Sequence, residues 1–498
     1  MTRYITASML YDWCLCPHRV SLDLFGDPAE RDGISLFVKM LWEKGNEFEK
    51  KVVDGVGAPF TDLSTYAGEE KEAETLKAME RGDPLIYSAR IRQGNLLGMP
   101  DLLRRERGGY VAGDIKSGAG LEGGSDIEEG KPKKHYAVQL GLYTDILGQK
   151  GVLARRVPFI WDVHGEEVPY DLDAALSARH PIPLWEDYLD TRARVEEAVA
   201  RKGGTVPALC STCKLCHWHS HCKKQVERTD DLTLIPELGR SRRDLIQPQV
   251  KTVAAMATAD LSPFLQGGKT VFPRIGSALL NTFQMRARLL KDPNARPVLT
   301  ASLDLPAADR EIFFDVETDP MRDLCYLHGF VVRTGQDNTA EKYIAFFADD
   351  PTEEAEKDVF AAALDFLKNS RPFVLFFFSK YERTQWRRLQ EKYPEAASVE
   401  EIEAWFDPET AVDLYNDVVL KKTEWPTTNK SIKTLARFLG FEWRDTDPSG
   451  ASSIEWYHRW VESKDWAIKQ RILDYNEDDC RATRVLLDGL REMDGSSK

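Results

Sequence analysis

A chain of 498 residues is too long for a single hydrophobic core, so two or three domains are expected. Charged residues at 30% and hydrophobic residues at 42% describe an ordinary globular balance, and no apolar run approaches the ~18 residues of a membrane span. A net charge of −14 argues against a broad polyanion-binding surface, but leaves a local groove open, because divalent-metal sites concentrate carboxylates themselves.

The first residues, "MTRYITASMLYDWC", lack the apolar core of a secretion signal. The eight cysteines do not make a disulfide framework, so a cytoplasmic location is expected. Residues 34–54 have helical apolar spacing with a charged face. Residues 85–117 read as three strands, "LIYSARIRQ", "LLGMPDLLRRE" and "GYVAGDIKS", separated by "GN" and "GG" turns. The Gly-rich, charged tract 118–134 reads as a mobile loop, followed by the helix "HYAVQLGLYTDILGQ" and a strand near "RRVPFIWDV". A cluster of cysteines and histidines, "LCSTCKLCHWHSHCKK", closes this first unit near residue 225.

Residues 226–305 suggest short helices around a Pro/Gly hairpin, ending in a linker at "KDPNARPVL". From 311 the pattern renews, with strands at "EIFFDVET", "YLHGFVVRT", "KYIAFFAD" and "PFVLFFFS", a helix over 352–369 and a mostly helical remainder. Strands alternating with helices at these spacings point to two separate α/β domains.

Asp101 in "GMPD" and Asp114 in "GDIK" fall on adjacent strands, with Lys116 on the face of Asp114. Two converging carboxylates suit Mg²⁺, and a nearby ammonium can orient an attacking water and offset charge at phosphorus. Glu47 or Glu49 on the upstream helix can add a third carboxylate, and "QLGLY" sets Gln139 and Tyr143 at i, i+4. In the order helix with "GNEFE", "MPD", "DIK" and QxxxY, the chain resembles the RecB-like branch of the PD-(D/E)xK nucleases. The resemblance implies metal ligands at Asp101 and Asp114, catalytic Lys116, and Gln139 and Tyr143 near the DNA or supporting the site. Through Gly45 it selects Glu49 as the helix acid, where a His is often found.

Cys210, Cys213, Cys216 and Cys222, alone or with His217, His219 or His221, have the composition of a zinc site. The RecB-like nucleases also include an iron–sulfur branch, with one N-terminal "CP" cysteine and a C-x2-C-x5-C triplet, and this chain carries both halves. That resemblance implies a [4Fe–4S] cluster on Cys16, Cys213, Cys216 and Cys222, with Cys14 and Cys210 as spares. Such a staple closes a loop of roughly 200 residues and, treated like a disulfide, removes on the order of 4–5 kcal/mol of unfolded-chain entropy. "LTLIPELGRSRRDL" (232–245) resembles a degenerate helix-hairpin-helix DNA contact, with Arg240, Arg242 and Arg243 adding charge and Glu237 standing where a glycine is usual. A structural helical linker is the competing reading.

Asp315 and Glu317 stand at strand spacing, and Tyr475 and Asp479 at helical spacing near the other end of the same unit. Together they resemble the DnaQ-like, RNase H-fold exonucleases of the DEDD-y type, in which carboxylates surround two metal ions. Tyr475 then matches the residue that positions or deprotonates the nucleophilic water. The third acidic role falls to Glu382 or Asp413, because the usual middle motif is absent, while "SIKTLARFLGF" (431–441) fits the middle helix.

The chain as a whole resembles bacterial nucleases joining these two domains. The expected layout is α/β: a restriction-endonuclease-like domain with its iron–sulfur staple (1–225), a helical linker (226–305) and a DnaQ-like domain (306–498). The implied activity is a two-site DNA exonuclease using Mg²⁺ or Mn²⁺ on single-stranded or frayed ends, 5′-directed in the first domain and 3′-to-5′ in the second. A helicase or a repair or defence protein is the expected partner. A DNA-end-binding module with inactive sites and an RNA-processing nuclease are the competing readings.

Overall fold

Apolar residues at 85–86, 102–103 and 110–112 build the centre of the first sheet, and all are buried. In the computed structural model, which describes residues 3–57, 59–123, 130–177, 180–201, 204–446 and 448–495, this sheet belongs to one of two compact units. That unit comprises Met1–Pro207 and Ser211–Lys223, and the other comprises Ala208–Cys210 and Lys224–Lys498.

In the first unit the six-stranded sheet runs Glu167–Pro169, Phe159–Trp161, Gly109–Ile115, Leu102–Glu106, Leu85–Tyr87, Thr61–Asp62. Two of the three long strands expected over 85–117 are each broken in the middle. Ser88 takes a left-handed φ of 57°, and the bend is held by Ser88 N–H donating to Asp101 O (2.7 Å) and Ala89 N–H to Pro100 O (3.1 Å). The outer halves, Ile91–Gln93 and Leu96–Gly98, join Ile5–Thr6 in a second, three-stranded sheet. Asp101 therefore sits at the bend between two sheets and not within a strand.

The helix Lys134–Gln149 is buried nearly all round, and the Tyr143 ring passes directly over Gly98, where a Cβ would stand 2.7 Å from Cδ1. Of the tract expected as a loop, residues 124–129 lie outside the described residues, while Leu121–Glu122 pairs with Lys131–Pro132. The segment after Ser211 folds back on the start of the chain. Trp218, fully buried, donates from Nε1 to Asp23 Oδ1 at 2.9 Å, His217 Nε2 meets the same oxygen at 2.7 Å, and Ser220 N–H donates to Asp32 Oδ2.

The second unit has a five-stranded sheet in the order Lys342–Phe347, Leu324–Thr334, Arg310–Asp319, Val374–Phe377, Ala411–Asp413. The first three are antiparallel and the last two run parallel to Arg310–Asp319. Strand alternation sends successive side chains of Arg310–Asp319 to opposite faces. Ile312 and Phe314 share a core with Phe360, Leu364 and Trp386, whereas Phe313 joins Cys480, Leu486 and Leu490. Asp315 and Glu317 continue the Phe313 face, the one covered by the long helix Trp466–Asp494.

Residues 232–290 of this unit have a small core of their own around Leu238, Ile246, Met256 and Phe283. Arg286 forks onto Glu424 at 2.7 and 2.8 Å, and Val298–Leu299 pairs with Thr423–Glu424, which fastens this layer to the sheet domain. In the hairpin at 232–245, Arg243 is buried and paired with Asp231 (2.8 Å) and Asp244 (2.6 Å), so it adds no charge to a nucleic-acid surface. Glu237 adopts a φ of 62°, the left-handed region that favours glycine. Among the described residues, no helix is long and apolar enough to cross a membrane.

Candidate active sites

In the first unit, Asp101 and Asp114 exchange contacts across the bend. Ile115 N–H donates to Asp101 Oδ2 at 2.8 Å and Asp101 N–H to Asp114 Oδ1 at 3.3 Å. Lys116 Nζ pairs with Asp114 Oδ2 at 3.0 Å, an oxygen that is buried and has no hydrogen-bond partner of good geometry among the described residues. Burial, then the charge of Asp114, pushes the Asp101 carboxyl well up. Burial pushes the Lys116 ammonium down, but Asp114 and Asp101 together outweigh it and leave it raised, hence charged at neutral pH.

Glu49 accepts from Tyr87 Oη at 2.8 Å, and its charge reaches Asp101. Tyr143, fully buried, donates to Met99 O at 3.3 Å and accepts from Gln139 Nε2 at 3.2 Å. Tyr143 thus buttresses the bend, while Gln139 lines an open cleft of about 370 Å³ with Tyr11, Lys116, Ser117 and Tyr136.

In the second unit, Asp315, Glu317 and Asp479 each offer an oxygen within 4.8 Å of the others, the one such His/Cys/Asp/Glu group among the described residues. Glu49, Asp101 and Asp114 are therefore set wider, and so are the cysteines. Burial, then Asp479, pushes Glu317 up to about 8, and Asp315 is raised by burial, then by Glu317, Asp479 and Glu382. Three acids crowded to this degree, with the charge of Glu382 felt at Asp315, favour a divalent cation among them.

Glu382 and Asp413 have different fates. Asp413 Oδ1 accepts N–H groups of Ser379, Tyr415 and Asn416, and its Oδ2 accepts Asn416 Nδ2 at 2.7 Å. Oδ1 is thus engaged in capping the turn that follows, while Oδ2 accepts a single bond. Glu382 is buried, and its Oε2 has no hydrogen-bond partner among the described residues. Its charge is felt by Asp315.

Tyr475 stands beside Asp479, its hydroxyl raised by burial first and then by the neighbouring carboxylates. Three further residues escape the sequence reading. Asn476 Nδ2 donates to Asp315 Oδ2 at 2.7 Å, Trp443 Nε1 to Asp479 Oδ1 at 2.7 Å, and Lys433 Nζ to Tyr475 Oη at 2.7 Å. Asn476 adjoins Tyr475 in sequence, and Lys433 lies in the quoted "SIKTLARFLGF", but neither carries a spacing rule of its own.

Cys16, Cys213, Cys216 and Cys222 are all half-buried thiols of the first unit. Cys16 lies in the extended break between the helices Ala7–Leu15 and Pro17–Phe25. Burial raises the Cys216 thiol, and Cys16 is close enough to raise it further. Among the described residues no three cysteine or histidine ligand atoms come within 4.8 Å, closer packing than a four-iron cluster asks of its thiolates but the kind a single zinc ion needs.

Residues 312–491 match the family model RNase_H_2, of the RNase_H superfamily. A search of the curated proteins finds no match. The second unit thus contains an RNase H-like domain, a fold of metal-dependent, nuclease-type enzymes acting on nucleic acid.

Proposed function

With residues 312–491 as an RNase H-like domain, we propose that the chain is a two-site DNA exonuclease dependent on Mg²⁺ or Mn²⁺, acting on single-stranded or frayed ends. The observation that carries this reading is the convergence of Asp315, Glu317 and Asp479, with the buried Glu382 beside them. These four residues would hold the metal, which when bound would offset charge on the attacking and leaving oxygens. Asn476 holds Asp315 and Trp443 holds Asp479, so the carboxylates are set before substrate arrives. Tyr475, hydrogen-bonded to Asp479 at the edge of the cluster, would position the attacking water.

In the first unit, Asp101, Asp114 and Glu49 would hold a second metal site and Lys116 would orient the water and steady the phosphate. The buried Asp114 Oδ2, short of a well-formed hydrogen bond, supports that assignment. Cys16, Cys213, Cys216 and Cys222 would carry a [4Fe–4S] staple, a reading supported by four half-buried thiols in one unit. The first site would trim from 5′ ends and the second from 3′ ends, beside a helicase or a repair or defence protein.

The test is cleavage of end-labelled single strands blocked at one terminus, with an RNA strand of equal sequence in competition. Lys116→Ala should abolish 5′-directed products, and Asp315→Ala 3′-directed ones. Tight DNA binding with no metal-dependent cleavage by the unaltered chain would instead make it an end-binding module, and preferential cleavage of the RNA would change the substrate class.

A further inference from the structure

Lys433 lies on the helix Ile432–Phe438 and belongs to neither carboxylate cluster. Its Nζ donates to Tyr475 Oη at 2.7 Å, lies 4.0 Å from Asp479 Oδ2 and sits 4.7 Å from the centre of the Tyr475 ring. The Tyr475 hydroxyl is hydrogen-bonded to Asp479 as well. A phenol oxygen that accepts from an ammonium has its own proton turned the other way, here towards the carboxylates. The 4.0 Å separation from Asp479 Oδ2 puts the Lys433 charge at the edge of the carboxylate cluster.

We propose that Lys433 is a positioning residue of the second site, an inference that rests on reading this cluster as a nuclease centre. Its contact aligns the Tyr475 hydroxyl as a donor into the cluster, and its fixed charge offsets part of the acidic excess. Two consequences follow from that geometry. Removing the ammonium should slow turnover through Tyr475 and leave substrate binding nearly unchanged. It should also strengthen metal binding, because a cation that competes electrostatically with the metal is gone.

The experiment uses the full chain with Asp101→Asn, so that the first cluster does not contribute. Lys433→Ala and Lys433→Gln should lower kcat by about tenfold to a hundredfold with KM within about twofold, the scale of a lost alignment. Lys433→Arg should recover a large part of the loss. In a Tyr475→Phe background, Lys433→Ala should cost less than about twofold further. An equal loss in both backgrounds overturns the proposal, since Lys433 would then act apart from Tyr475, for example on the substrate phosphate.

Mn²⁺ titration followed by electron paramagnetic resonance supplies a readout that needs no cleavage. Lys433→Ala should tighten Mn²⁺ binding several-fold and Lys433→Arg should leave it unchanged. Unaltered affinity in Lys433→Ala overturns the proposal even where no variant cleaves DNA, whereas absent cleavage with the expected Mn²⁺ shift overturns only the nuclease reading.

Discussion

Asn476 on the long helix Trp466–Asp494 reaches Asp315 on the central strand at 2.7 Å, and the neighbouring strand leaves room for it. The residue opposite Asp315 on that strand is Gly329, where a Cβ would stand 1.6 Å from Asn476 Oδ1. Gly329→Ala should therefore push Asn476 away from Asp315. Overpacking of this kind costs about 1–3 kcal/mol, and 3′-directed cleavage should fall at least about tenfold. Thermal melting together with Mn²⁺-dependent cleavage checks both, and an unchanged rate would mean that Asn476 does not set Asp315.

Glu382 and Asp413 should separate by phenotype. Glu382→Gln should weaken Mn²⁺ binding and cleavage while leaving the melting temperature near that of the parent. Asp413→Ala removes a cap and should cost about 1–2 kcal/mol of stability while retaining metal affinity. Calorimetry and Mn²⁺ titration of the two variants make the comparison.

These two acids also mark the boundary of what the sequence discloses. Asp315 with Glu317, and Tyr475 with Asp479, are legible because strand and helix periods fix which side chains share a face. Four of the five strands of that sheet are legible from alternation and length, whereas Ala411–Asp413 is too short to signal and the RNase H-like fold is read only through resemblance. The third acid is not legible, because it depends on which carboxylate is consumed by backbone N–H groups outside its own motif. Asp101 poses a similar difficulty: its chain neighbours look like continuous strand, and only the contacts of Ser88 and Ala89 reveal the bend.

His328 is fully buried, accepts from Trp386 Nε1 at 3.2 Å, and is pushed down to about 3 by burial. In the unfolded chain its pKa is near ~6.5, so below that value the unfolded state takes up a proton that the folded state refuses. The folded state should thus be at full strength above about pH 6.5 and lose about 1.4 kcal/mol per pH unit from this group as pH falls towards about 3. Chemical denaturation of the parent and of His328→Phe between about pH 7 and pH 5 should show the parent losing more stability on acidification.

The contacts of Trp218 and Asp23 tie the Ser211–Lys223 segment to the first helices. Trp218→Ala should cost about 3–5 kcal/mol, by removing a fully buried ring. Protein purified without oxygen should absorb near ~400 nm if the cysteines hold an iron–sulfur cluster, and Cys216→Ser should abolish that band. A colourless parent protein would remove the cluster from the proposal.

The acids of the second site are scattered along the chain, and one of them comes long after the rest. Asp315 and Glu317 lie on the strand Arg310–Asp319 and Glu382 opens the helix Tyr381–Lys392, whereas Asp479 waits for the helix Trp466–Asp494. During synthesis the chain therefore leaves the ribosome with this centre incomplete until that helix is made. On the nuclease reading proposed above, a nascent polypeptide surrounded by nucleic acid would be kept from cutting through that centre until Asp479 has emerged.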